Sequence, residues 1–253
     1  MKRYLFAEAL IVVVLAAALA SSVPLSTDAF FWSWDGLNHH VYLGLIAEQP
    51  RWHLDVTAAS GQSYQYPYLY WPAYKLPQWF SSGAVAGAAW SATNAALLTL
   101  PTWLICLRLL PGSGDRPWWH GTLERTAACG FAGMSVVVLT GLETTANDVL
   151  AAVPLLWAVW VSLGPRSHRR AFWAAVLWGV SVAFKLSNGL FLPLLMFWWW
   201  QPQAPRLPWR RGLSLASGAS LGFVVLYAPW GWQLWKLTGN PFYPFLGNLL
   251  GRG

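Results

Sequence analysis

The chain has 253 residues, of which 56% are hydrophobic and only 10% charged, with a net charge of +7. A soluble domain carries about 25% charged residues, so an ordinary water-soluble fold is excluded. Extended apolar–polar alternation is absent, which excludes a β-barrel, and what remains is an all-α, polytopic transmembrane helical bundle.

An excess of 16 basic over 9 acidic residues would suggest nucleic acid in a soluble protein. Here the basic residues fall in short segments between apolar runs, so the topological reading comes first. The expected organisation is a single transmembrane domain over 1–253, with a first outer loop at 25–81.

The first expected span is 4–24. Lys2, Arg3, the apolar run and Ala18-Leu19-Ala20 also fit a secretory signal. The length of the run and the spans that follow favour a retained helix. Either way, the chain emerges outside at about residue 26.

The first outer loop concentrates chemistry. It holds Asp28, Asp35, Glu48 and Asp55, together with His39, His40 and His53, among many Trp and Tyr residues. Residues 35–49 read as an amphipathic interfacial helix. Asp35, Asn38, His39 and Tyr42 share one face, and Leu37, Val41 and Leu45 share another. Asp35 fits a general base that takes a proton from an acceptor hydroxyl. It also stands where a helix N-cap belongs, and both readings stay open. His39 and His40 fit a phosphate when protonated, or a metal together with Asp35. Arg51 and His53 offer cations to a phosphate or to lipid headgroups. Tyr64 and Tyr66 belong to an aromatic run, 63–74, whose flat rings with polar tips suit sugar stacking and membrane interfaces alike.

Further spans are expected at 82–109, 125–141, 149–163, 171–186, 188–200 and 212–229, about seven in all. The stretch 171–200 as one helix would run about 45 Å, too long for one ordinary crossing, so a turn is placed at Leu186-Ser187-Asn188-Gly189. A second outer loop carries Glu143 and Asp148, and Thr145-x-x-Asp148 reads as a capping box for the next span. Lys185, at the outer end of a span, could neutralise a phosphate and needs a partner. Gly218 and Gly222 have the small-residue spacing of closely packed membrane helices. Cys106 and Cys129 read as small buried apolar residues rather than a disulfide framework.

With the N-terminus in the cytoplasm, most basic residues lie inside, which fixes the orientation. Asp28, Asp35, Glu48, Asp55, Glu143 and Asp148 then all lie outside. The orientation rule hardly constrains acids, so a site on that face is the natural cause. Most of the 20 tryptophans fall at the expected interfaces, as belt anchors do.

Several stretches together resemble a known family. Asp35-Gly-Leu-Asn-His-His-Val-Tyr42, Ser63-Tyr-Gln-Tyr-Pro67 and Pro72-Ala-Tyr74 are similar to the first outer loop of bacterial GT-C type membrane glycosyltransferases, which use polyprenyl-phosphate-linked sugars. Glu143-Thr-Thr-Ala-Asn-Asp148 resembles their second acidic loop, Ala183-Phe-Lys-Leu-Ser187 a lysine-bearing turn, and Gly239-Asn-Pro-Phe-Tyr-Pro-Phe245 a later outer loop.

The resemblance implies an inverting sugar transfer on the non-cytoplasmic side of the bacterial inner membrane. Asp35 would be the base that activates the acceptor. Glu143 and Asp148 would assist acceptor or metal binding, and Lys185 would contact the departing phosphate. The cofactor stays open, with Mg or Mn as the divalent candidates. Family members carry more spans and often a tail, so the end at Gly253 implies a C-terminally truncated form or one half of a split enzyme. The competing expectations are a transporter or flippase of a lipid-linked polar substrate, and an inactive or partner-dependent membrane subunit. The sugar and the acceptor are not named by the sequence.

Overall fold

A computed structural model describes residues 2–30, 33–57, 59–110, 117–193, 199 and 208–250. Among these residues the chain is all-α, with ten α-helices: α1 (Lys2–Thr27), α2 (Val41–Glu48), α3 (Trp71–Trp79), α4 (Gly83–Leu109), α5 (Trp118–Gly133), α6 (Val136–Glu143), α7 (Asp148–Ser162), α8 (His168–Phe184), α9 (Pro208–Thr238) and α10 (Gly247–Leu250).

Three helices are long and apolar enough to cross a membrane: α1, α4 and α9. Each carries a long, predominantly apolar stretch, with Glu8 the one acid in that of α1. In α1 the side chains of Leu10, Ile11, Val14, Leu15 and Leu19 stay exposed, as lipid-facing residues do. α1 and α4 pack along one another, with Ser21 Oγ donating to Ala88 O at 3.2 Å.

Among the described residues the expected count of about seven spans is not shown, since only these three helices have the length and apolarity of a crossing. The expected span 125–141 divides into α5 and α6 at Met134-Ser135. Ser135 caps α6 there, its Oγ accepting the Val138 N–H at 3.4 Å. α7 has 15 residues and α8 has 17. At 1.5 Å per residue these reach only about 22 and 26 Å, short of a hydrocarbon core of about 30 Å. Of the expected span 188–200, residues 194–198 and 200 lie outside the described residues, and its start falls in the turn Leu186–Phe191.

The turn after α8 stands where the sequence places it. α8 stops at Phe184, and Leu186–Phe191 form a 3₁₀ turn. Asn188 holds that turn down, its Nδ2 donating to Ser181 Oγ at 2.8 Å while Ser181 Oγ donates to Ala151 O at 2.7 Å. α8 also packs along α9. Gly218 and Gly222 of α9 face the carbonyls of Phe172 and Val176, which a side chain at either glycine would overlap.

The segment expected as the first outer loop, 25–81, is not a loose connector. Leu43, Ile46 and Tyr70 of the loop bury against Ala183 of α8 and Tyr227, Trp230 and Leu234 of α9. This packing holds the loop's polar residues at one end of the bundle. At the other end, Val12, Trp103, Cys106 and Cys129 form a second core, and both cysteines are free with sulfurs 4.0 Å apart.

Candidate functional site at the loop end of the bundle

The first helix of the loop begins at Trp34, and Ser33 caps it, its Oγ accepting the Gly36 N–H at 3.0 Å. The capping role considered for Asp35 thus belongs to Ser33. Asp35 makes no side-chain cap bond, and its carboxylate is 57% exposed. In the first turn of a helix it also sits at the positive end of the dipole.

Gly36–His40 then wind as a π-turn before α2 continues as α-helix. Such turns rotate the residues that follow and recur at functional sites. Here the amphipathic expectation fails in an informative way. His39, placed on the water face by the sequence, is buried, and Leu37, placed on the apolar face, is 68% exposed. The inward face is Gly36, His39, His40, Leu43 and Ile46, and it packs on the bundle rather than in the interface.

His39 Nδ1 faces Asp35 Oδ1 at 4.0 Å, too far for a hydrogen bond. It is buried and has no hydrogen-bond partner among the described residues. His39 stands edge-on to His40, centroids 4.4 Å apart, and His40 stacks on Tyr70 at 4.6 Å. Tyr70 is itself buried, its hydroxyl donating to Gln65 Oε1 at 3.2 Å.

His40 joins this loop to the next. Its Nδ1 lies 2.8 Å from Thr145 Oγ1. Gly36 permits the approach, since a Cβ there would come within 2.8 Å of the same hydroxyl. The expected capping box over Thr145 and Asp148 is absent, because each side chain has a tertiary partner instead. Thr145 meets His40, and Asp148 forms an ion pair with Lys185. That pair is half-exposed, with Lys185 at 36% and Asp148 at 48%.

Burial, reinforced by neighbouring His39, pulls the His40 imidazole down to about 3, so it is neutral at physiological pH. Burial also lowers His39, against a smaller opposing pull from Asp35. The protonated histidines expected to hold a phosphate are therefore neutral here, and Lys185 is the cation of the group. Tyr70 is pushed up by burial and then by Asp148 and Asp35, so both carboxylates act on one phenol.

The other expected residues lie apart. Arg51 pairs with Asp55 at 3.1 Å. Tyr64 lies flat on Trp52 with centroids 4.9 Å apart, and Tyr66 packs beside Tyr227 and Phe184. Burial pushes the Tyr66 phenol up to about 12. These rings form an aromatic wall over α9 rather than open platforms. Glu143 ends α6, but its side chain lies outside the described residues. Among the described residues, no three His, Cys, Asp or Glu side chains gather as a metal set.

The sequence reading passed over Tyr70 and Ser33 and gave Thr145 only a capping role. Tyr70 sat unseparated in an aromatic run, and the Thr145 contact joins residues 105 positions apart. No family model matches the chain, and no curated protein or solved structure matches it either.

Proposed function

We propose that this is a membrane glycosyltransferase of the GT-C type, moving a sugar from a polyprenyl-phosphate donor to an acceptor hydroxyl. The reading places Asp35 on the non-cytoplasmic face of a bacterial plasma membrane, with the N-terminus in the cytoplasm and the shorter helices α7 and α8 completing the bundle within the bilayer.

The observation that carries it is the pairing of an exposed carboxylate that makes no cap bond with a buried imidazole whose Nδ1 has no hydrogen-bond partner among the described residues. A hydroxyl bound between Asp35 and His39 would fill the 4.0 Å gap, satisfy His39 Nδ1 and give its proton to Asp35. Lys185 supplies a cation near the departing phosphate, and its ion pair is exposed enough for a phosphate to displace Asp148. Support for a lipid-linked donor comes from an open apolar groove of about 560 Å³ along α9. It is bordered by Tyr227 and Phe242, which also back the aromatic wall of the loop.

The test is transfer by the purified chain in proteoliposomes with radiolabelled polyprenyl-phosphate sugars. Label appearing on an acceptor, lost in Asp35→Asn with the fold unchanged, is the expected result. Equal transfer by the variant removes Asp35 from the mechanism. Label that crosses the bilayer without forming a new bond replaces the enzyme with a flippase.

A further inference from the structure

Two arginines meet at the end of the bundle opposite Asp35. Arg108 lies in the last turn of α4, about 38 Å along the helix from Gly83. Arg170 lies in the first turn of α8. Both turn toward Gly164, in the link between α7 and α8. A side chain at Gly164 would overlap Arg170 Nη1 and come within 2.7 Å of Arg108 Nη1.

The two guanidinium groups are held differently. Arg108 Nη1 donates to Trp160 O at 2.6 Å, and its guanidinium lies 4.3 Å from the centre of the Trp160 ring. That side chain is fixed by a carbonyl and an aromatic face, which leaves further donors of its fork unused. Arg170 Nη1 is buried and has no acceptor among the described residues. Among the described residues, neither arginine has a carboxylate partner.

Cations that merely follow the inside-positive bias extend into water. This pair instead converges, and bringing two like charges together near apolar helix ends is unfavourable without a counter-ion. One buried donor is left unpaired besides, which adds a further penalty. The α8 N-terminus itself is capped, Ser167 Oγ accepting the Arg170 N–H at 3.2 Å. A single tetrahedral anion would relieve both penalties, because arginine forks match phosphate oxygens. Leu109 and Trp173, close to the two arginines along the chain, are exposed apolar side chains, as anchors at a bilayer surface are.

We propose that Arg108 and Arg170 form a phosphate-binding site for the headgroup of an anionic lipid, on the membrane face opposite Asp35. The site is independent of the glycosyltransferase reading. Gly164 is its floor, because only a residue without a side chain lets both guanidinium groups close on one point.

The full chain is reconstituted in phosphatidylcholine vesicles with or without phosphatidylglycerol, extracted, and weighed with its retained lipid by native mass spectrometry. Wild type keeps phosphatidylglycerol in preference to phosphatidylcholine. Arg170→Gln and Arg108→Gln each lower that retention about tenfold, the loss expected for one charge-assisted hydrogen bond. Arg170→Lys keeps the charge, loses the fork and falls between. Arg169→Gln removes an equal charge one residue away and leaves retention unchanged. Should Arg169→Gln lose as much lipid as Arg170→Gln, the effect is bulk charge and the site is overturned. Gly164→Val tests the geometry without altering charge, and undiminished retention in a folded Gly164→Val protein overturns it as well. Inorganic phosphate that stabilises wild type but not Arg170→Gln, with phosphatidylglycerol kept no better than phosphatidylcholine, assigns the site to free phosphate and overturns the lipid.

Discussion

Glu8 and Asp35 are both carboxylates on helices at opposite ends of the bundle, and they are treated in opposite ways. Glu8 is buried and accepts hydrogen bonds from Arg125 Nε at 2.6 Å, Arg125 Nη2 at 2.7 Å, Trp103 Nε1 at 2.9 Å and Thr122 Oγ1 at 2.8 Å. Its acceptor capacity is filled by three neighbours on α4 and α5. Asp35 is exposed, its cap role is taken by Ser33, and its nearest cation-forming neighbour stands 4.0 Å away. A filled carboxylate locks helices together, whereas an under-filled one has capacity left for a ligand. The contrast separates structural from chemical charge in a chain that is only 10% charged.

The largest expected effect is on the chemistry. Asp35→Asn should cut sugar transfer by at least about a hundredfold, the lower end of what a general base supplies. Its melting temperature should not move, because the side chain makes no cap bond. A melting temperature that drops with activity would make Asp35 a second structural carboxylate and erase the contrast. Next comes Glu8→Ala, which leaves Arg125 buried without its counter-charge. Removing one partner of a buried pair costs about 3–5 kcal/mol, which calorimetry in detergent would register as a large loss of stability. If Glu8→Ala melted like wild type, Glu8 would not be the lock described here.

How far the sequence foretells these two ends depends on how local each feature is. The long apolar runs of α1, α4 and α9 and the turn at Asn188 follow from composition within one segment, so they are legible. So is the Asp35–His39 spacing, which survives as a facing pair. The burial of His40 is not legible, because it depends on a π-turn, on Tyr70 and on a threonine 105 residues away. The Glu8–Arg125 lock spans 117 residues and leaves no local pattern beyond one acid in an apolar run. The break that divides α5 from α6 depends on a serine cap at Ser135, which a hydropathy reading slides past.

His40 provides a pH test of intermediate size. The folded chain holds it neutral down to about pH 3, while the unfolded imidazole takes a proton below about pH 6.5. The unfolded state therefore binds the extra proton in that window. Stability should be intact above pH 6.5 and fall as the pH drops, by up to about 1.4 kcal/mol per pH unit. His40→Gln should flatten that acid limb. An unchanged limb in His40→Gln would assign it to other groups.

The smallest effect separates the two ends most sharply. Asp148 and Lys185 form an ion pair, as Glu8 and Arg125 do, but theirs is half-exposed. An exposed pair contributes about 0–1 kcal/mol, so Asp148→Asn should lower stability by no more than that in thermal melts. It would also free Lys185 from competition, so the apparent affinity for a phosphate-bearing donor should rise rather than fall, while Lys185→Gln should weaken it. A stability loss in Asp148→Asn as large as that of Glu8→Ala would show that this pair also holds helices together. The loop end would then be a second lock, and Lys185 would have no claim to be a phosphate contact.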